Sequence, residues 1–152
     1  MANMNHQEEY TAEYLASILA DVKTIAMVGA SPDPTKFSYG VLRVLSEQGF
    51  NMIPVNPKEA GKEIRGLKVV ASLADIEEPV DMVEVFRASE ALPGIAQEAI
   101  DIGAKVLWSQ IGVYSEEAAK LAEDAGLRVV MNRCPKIELF RPFWKPKLNQ
   151  GI

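Results

Sequence analysis

TIAMVGASPDPTKFSYGVL, positions 24–42, decides the fold. Five apolar or β-branched residues run unbroken from Thr24 to Val28 and stop at Gly29. A short apolar run closed by a turn residue reads as a strand buried on both faces. The loop that follows carries Pro32 and Pro34 where a phosphate-binding turn usually carries more glycines. Beyond it Val41, Leu42, Val44 and Leu45 recur at helical spacing, which predicts a helix with Ser38 as its N-cap and Gly49 as its C-terminal stop.

The same unit repeats along the chain. FNMIPV (50–55), DMVEVF (81–86), AKVLW (104–108) and LRVVM (127–131) read as strands, and LKVV (67–70) as a small extra one beside a turn near Ser72. Between them, helices are predicted from Ser89 to about Ile102 and from a Ser115 cap to about Ala125. Ahead of them, Tyr14, Leu15, Ile18 and Leu19 form one stripe of a helix over 10–20. Strand and helix alternate throughout, which predicts an α/β fold: right-handed βαβ crossovers, a mostly parallel, doubly wound sheet of about five main strands, and helices on both faces.

The chain has 152 residues, 48% of them hydrophobic and 24% charged, which suits one globular domain over 1–152. Residues 1–9 are polar and read as a flexible N-terminus that carries the single histidine, His6, while 141–152 read as a C-terminal arm. No segment approaches the ~20 apolar residues that span a bilayer. The net charge of −5 offers no general attraction to nucleic acid. The N-terminus lacks the basic-then-apolar pattern of a secretory signal, and one cysteine, Cys134, cannot close an internal disulfide. The expected compartment is the cytoplasm, with neither membrane nor nucleic acid as partner.

In an open α/β sheet, ligands bind outside the carboxyl ends of the strands, where strand order reverses. At those ends stand Gly29-Ala30-Ser31, Asn56-Pro57-Lys58, Phe86-Arg87, Ser109-Gln110-Ile111-Gly112 and Asn132-Arg133-Cys134-Pro135. They are small, polar and cationic, with no carboxylate pair, and suit an anion better than acid–base chemistry. Gly29 lets a ligand approach the backbone, and the start of the following helix favours phosphate oxygens. The other reading makes Gly29 a sharp turn and Lys36 a solvated charge. The G-x-G-x-x-G fingerprint is absent, and Asn56 and Lys58 occupy the place of the acidic residue that holds a ribose hydroxyl. A lysine there can pair with a ribose phosphate, which NADP and coenzyme A share. With His6 the sole histidine, a Ser-His-Asp triad, a Cys-His pair and a multi-histidine metal site are not expected, and no catalytic residue or metal ligand is assigned. Arg87 reads either as a ligand contact or as an ion-pair partner of Glu84 or Glu90, and Cys134 either as a small buried filler or as a thiol at the cleft rim, activated by Arg133 and Lys136. LFRPFWKPKLNQGI (139–152) interleaves aromatics, prolines and cations, and reads as a partner-binding or self-associating arm, or as a segment folded onto the domain's own surface.

VGASPDPTKFSYGV, IPVNPK, VEVFR, AIDIGAKVLWSQIGV and AGLRVVMNRCPKIE together resemble the stand-alone coenzyme A-binding domain proteins of bacteria and archaea, themselves similar to the N-terminal domain of the succinyl-CoA synthetase alpha subunit. The resemblance runs over about 10–140 and implies a Rossmann-like fold that binds the ADP part of coenzyme A. Carried over by position, Gly29, Ala30 and Ser31 line the phosphates, Asn56, Pro57 and Lys58 the adenosine side, and Ser109, Gln110 and Ile111 the pantetheine path. Pro34, Lys36, Ser38, Tyr39, Gly40, Phe86, Arg87, Gly112, Cys134 and Pro135 complete the implied set. Many relatives carry Arg-Pro where this chain has Lys36-Phe37. The synthetase's second domain, with its phosphorylated histidine, is not expected here. The reading is therefore a binder of coenzyme A or acyl-CoA without its own catalysis; the alternative is an NADP-binding oxidoreductase or redox sensor.

Overall fold

The structure, a computed structural model, describes residues 4–141. The strands are β1 (Thr24–Val28), β2 (Asn51–Val55), β3 (Glu63–Ile64), β4 (Leu67–Lys68), β5 (Met82–Val85), β6 (Val106–Ser109) and β7 (Arg128–Val130). The α-helices are α1 (Ala12–Asp21), α2 (Phe37–Glu47), α3 (Leu92–Asp101), α4 (Glu116–Asp124) and α5 (Pro135–Leu139). Five strands form one parallel sheet in the order β2-β1-β5-β6-β7. Helices cover both faces: Leu15, Ile18 and Leu19 of α1 pack with Val41, Leu42 and Leu45 of α2 and Leu139 of α5, while α3 and α4 bury Ile95, Ala96, Ala99, Ala118 and Ala122 on the other side. The α/β class, the parallel pairing and the two-sided cover follow the sequence pattern, and a Rossmann-like fold results.

Several boundaries differ for physical reasons. Ser38 does not cap α2: Lys36 is its N-cap, without a side-chain cap hydrogen bond, and Ser38 is buried in the first turn. The helix starts early because the loop before it is already tightly turned. Asp33 accepts hydrogen bonds from the Thr35 backbone N–H (2.9 Å) and hydroxyl (2.7 Å), and the Lys36 N–H reaches the Asp33 carbonyl (3.1 Å). These contacts do the shaping that glycines do in other phosphate loops. Ser89 does not start α3 either. It lies in a 3-10 turn (Ser89–Ala91), and its hydroxyl oxygen accepts from the Tyr114 backbone N–H at 3.0 Å. Ser115 does cap α4, accepting from the Ala118 N–H at 3.1 Å.

The stretch 67–70 splits in two. Leu67–Lys68 pairs antiparallel with Glu63–Ile64 across a tight turn in which Arg65 and Gly66 both have positive φ (51° and 81°), while Val70 bridges Val55 in parallel. Two residues at positive φ are what a type I′ hairpin loop needs. Pro54 fits because β2 is a sheet edge.

His6, placed by its sequence on a free terminal stretch, is instead buried. Its Nδ1 lies 2.6 Å from the Tyr10 hydroxyl and its Nε2 lies 3.0 Å from Glu123 Oε1. The 139–152 tail falls outside the described residues beyond Arg141.

Candidate functional site

Sheet order fixes where a ligand can enter. After β1 the chain adds β2 on one side and then crosses to place β5 on the other, so order reverses between β1 and β5. The crevice therefore opens past Val28 and Val85, at Gly29 and Phe86-Arg87.

Two cavities meet there. The first, about 710 Å³, is lined on the sequence-expected side by Gly29, Asn56, Pro57 and Lys58, with Ser72, Leu73 and Glu98 opposite. The second, about 520 Å³, is lined by Lys36, Gly40, Gln110, Ile111 and Cys134, together with Phe37, Val113 and Ile137. Phe86 and Arg87 line both, so the two cavities share a wall at the switch point. Arg87 forms no ion pair with a described residue, neither with Glu84 nor with Glu90. Its guanidinium stands exposed at the junction. Lys58 and Lys36 are exposed on the walls of the first and second cavity respectively.

The local hydrogen bonds show which candidate side chains are already committed. Asn56 Nδ2 donates to the Ala30 carbonyl (2.8 Å) and its Oδ1 accepts from the Lys58 N–H (2.9 Å), so its amide ties the ends of β1 and β2 together. Ser31 Oγ accepts from the Asp33 N–H at 3.1 Å, which leaves its own hydroxyl proton to donate. Ser109 is fully buried, donates to the Val113 carbonyl at 2.7 Å, which shapes the loop after β6, and lines neither cavity. Ala30 and Ser38 are buried too, and neither lines a cavity. Ser31, Pro34, Tyr39, Gly112 and Pro135 also stand outside both cavity walls: Tyr39 lies under the Arg65 guanidinium at 5.8 Å, and the Gly112 N–H donates to Asn132 Oδ1 at 2.7 Å.

Electrostatics favour an anion at the junction. The helix start at Lys36 has no side-chain cap, so α2 presents its positive end there. Asp33, in the loop before α2, lines neither cavity; its carboxyl is held below its ordinary range, first by the Thr35 backbone N–H and then by the Thr35 hydroxyl, and its negative charge counts against the anion. Glu84 sits in β5 between Met27 and Trp108, with both carboxyl oxygens buried and unpartnered, and burial raises its pKa well above the ordinary value. It lines neither cavity. Gln110 is 9% exposed and its Oε1 is buried without a partner in the wall of the second cavity. An acceptor left so is an open place for a donor. Cys134 is 5% exposed, packed in the core cluster, with its surface turned to the same cavity.

Residues the strand-end reasoning passed over are Ser72, Leu73 and Glu98 in the first cavity and Phe37, Lys136 and Ile137 in the second. The first three come from a loop and a helix that face the strand ends from another layer. Lys136 and Ile137 follow Pro135, whose place at a helix start was the available signal for α5.

Comparison with known proteins shows the family. The family model described as "CoA binding domain" matches residues 23–139. An uncharacterized protein of Bacillus subtilis (strain 168), YneT, is 41% identical over 123 residues, which cover 81% of this chain and 90% of that protein. A solved structure described as a hypothetical protein from Pyrococcus horikoshii OT3 superposes with a TM-score of 0.82 at 37% identity, covering 91% of this chain and 96% of the other. The alpha subunit of an ADP-forming acetate–CoA ligase I from Pyrococcus furiosus is 32% identical over 112 residues, 69% of this chain but only 24% of the subunit. With the family model matching from the start of β1 to the end of α5, the chain belongs to the CoA binding domain family.

Proposed function

We propose that the protein binds coenzyme A or an acyl-CoA through its ADP moiety and carries out no reaction of its own. The adenosine and its ribose phosphate occupy the first cavity beside Lys58, the pyrophosphate lies at the junction by Gly29 and Arg87, and the pantetheine arm enters the second cavity. The observation that carries this reading is the junction itself. Two cavities share the walls Phe86 and Arg87, with an arginine at the shared wall that pairs with no described carboxylate and lysine on each side. Cations distributed over both cavities and their shared wall suit a ligand with one phosphate apart from a pyrophosphate. Support also comes from the family and from the ligase subunit, whose name contains coenzyme A.

Thermal denaturation with coenzyme A, dephospho-CoA, NAD and NADP tests the reading, since a ligand that binds only the folded state raises Tm with its concentration. Coenzyme A is expected to raise Tm most. Lys58→Ala is expected to cost coenzyme A about 1.5–3 kcal/mol, the worth of a charge-assisted contact, and dephospho-CoA far less. Equal losses for both ligands contradict the role of Lys58. A larger rise with NADP than with coenzyme A contradicts the proposal and favours the oxidoreductase alternative.

A further inference from the structure

Five large apolar side chains stand exposed among the described residues, and three of them, Phe37 at 85%, Ile111 at 56% and Ile137 at 49%, line a single cavity, the second one. They come from three places in the fold: the first residue of α2, the loop after β6, and α5. Scattered exposed apolar residues are ordinary, but a contiguous group marks a binding surface. Val41 and Val113 continue the apolar wall inward, and Gln110 supplies a buried acceptor with no partner. At about 520 Å³ the cavity falls within the size range of small-molecule sites. The residues lining it include no carboxylate.

We infer that this cavity selects coenzyme A thioesters carrying an apolar, medium-length aliphatic acyl chain, with the chain laid across Phe37, Ile111 and Ile137. The inference rests on the coenzyme A reading above and adds the class of acyl group to it. The shared walls Phe86 and Arg87 lead a ligand anchored at the junction into the second cavity. Inside, Gln110 lines the path of the pantetheine arm. Free coenzyme A ends in a small thiol and leaves the apolar rim in water, whereas an acyl chain continues from that sulfur and covers the rim. A chain ending in a second carboxylate would meet Lys36, Arg87 and Lys136 on the same wall but leave the three apolar side chains uncovered, so comparing the two chain types decides which part of the wall selects.

Calorimetric titration of the full chain with coenzyme A, acetyl-CoA, hexanoyl-CoA and succinyl-CoA tests the assignment. Full burial of one methylene is worth about fourfold in affinity and half burial about twofold. Hexanoyl-CoA, with four more methylenes than acetyl-CoA, is therefore expected to bind about tenfold tighter or better. Because Phe37 and Ile137 are exposed, the double variant Phe37→Ser, Ile137→Ser is expected to fold, and its hexanoyl-to-acetyl ratio is expected to drop below about threefold. Equal binding of acetyl-CoA and hexanoyl-CoA overturns the inference while leaving the coenzyme A reading in place. So does a full ratio retained by the double variant, or tighter binding of succinyl-CoA than of hexanoyl-CoA. Failure of coenzyme A and every thioester to bind removes the coenzyme A reading, and this inference with it.

Discussion

Gly29 has a φ of +92°, and a β-carbon placed on it would stand 2.7 Å from the Phe86 carbonyl oxygen and 3.0 Å from the Phe86 carbonyl carbon. Its sequence position after β1 suggests room for a ligand, but the closest demand on that room comes from the protein's own β5. The two strand ends press together at the switch point, and only a residue without a side chain fits between them. Gly29→Ala is accordingly expected to destabilise the fold by about 2–3 kcal/mol through backbone strain and displacement of Phe86, a fall in Tm of roughly 5–10 °C. A differential scanning measurement that returns the parent Tm contradicts this account of the position. Which residues stand at the strand ends was legible from the alternation of apolar runs and loops. What their side chains do was not, because the deciding partners are distant in sequence. Asn56 is spent on Ala30, 26 positions back, and the Asn132 N–H reaches the Ser109 hydroxyl across 23 positions.

At the scale of elements, α1 and the residues before it close an edge of the sheet. The Tyr14 hydroxyl donates to the Val129 carbonyl (2.8 Å) and accepts from the Val129 N–H (3.1 Å), while the Tyr10 hydroxyl accepts from the Met131 N–H (2.8 Å). Two phenols thus satisfy backbone groups that the edge strand β7 and the residue after it would otherwise leave open. The apolar stripe of α1 was readable from its spacing, but this docking was not, since 115 positions separate Tyr14 from Val129. Burial, offset in part by the Met131 hydrogen bond, pushes the Tyr10 phenol up to about 12. The folded state therefore keeps its proton at pH values where the unfolded chain, ionising near 10, has lost it. The stability this phenol contributes is present in full below pH ~10 and is lost as pH rises towards 12. Tyr10→Phe is expected to cost about 1–3 kcal/mol at pH 8 by stranding the Met131 N–H. It is also expected to flatten the fall of Tm between pH 9 and 11 relative to the parent. Parallel declines in the two proteins contradict the assignment. The strand β3, and with it the hairpin to the expected strand at 67–70, and the helix α5 were missed for a different reason. Each is too short to show periodicity, and only Arg65-Gly66 and Pro135 marked them.

For the whole molecule, the alternation of strands and helices made the parallel, two-sided sheet legible, yet alternation alone does not dictate the order β2-β1-β5-β6-β7. That order sets β1 beside β5, opens the crevice past Gly29, and brings residues that follow all five strands into the two cavity walls. At the opposite, amino-terminal end of the sheet, Asp81 ties β5 to β1: it accepts from the Lys23 and Thr24 N–H groups, each at 2.9 Å, and its carboxyl is held below its ordinary range, first by the Thr24 contact. The central claim, that coenzyme A lies across the carboxyl ends of the strands with Arg87 between its two halves, is open to one direct measurement. Uniformly 15N-labelled protein titrated with coenzyme A is expected to show backbone amide shifts concentrated at Gly29, Ser31, Lys58, Arg87, Gln110 and Ile111, with Lys23, Asp81 and Lys105 at the amino ends unchanged. Shifts centred on the amino ends, or a spectrum that coenzyme A does not alter, contradict it.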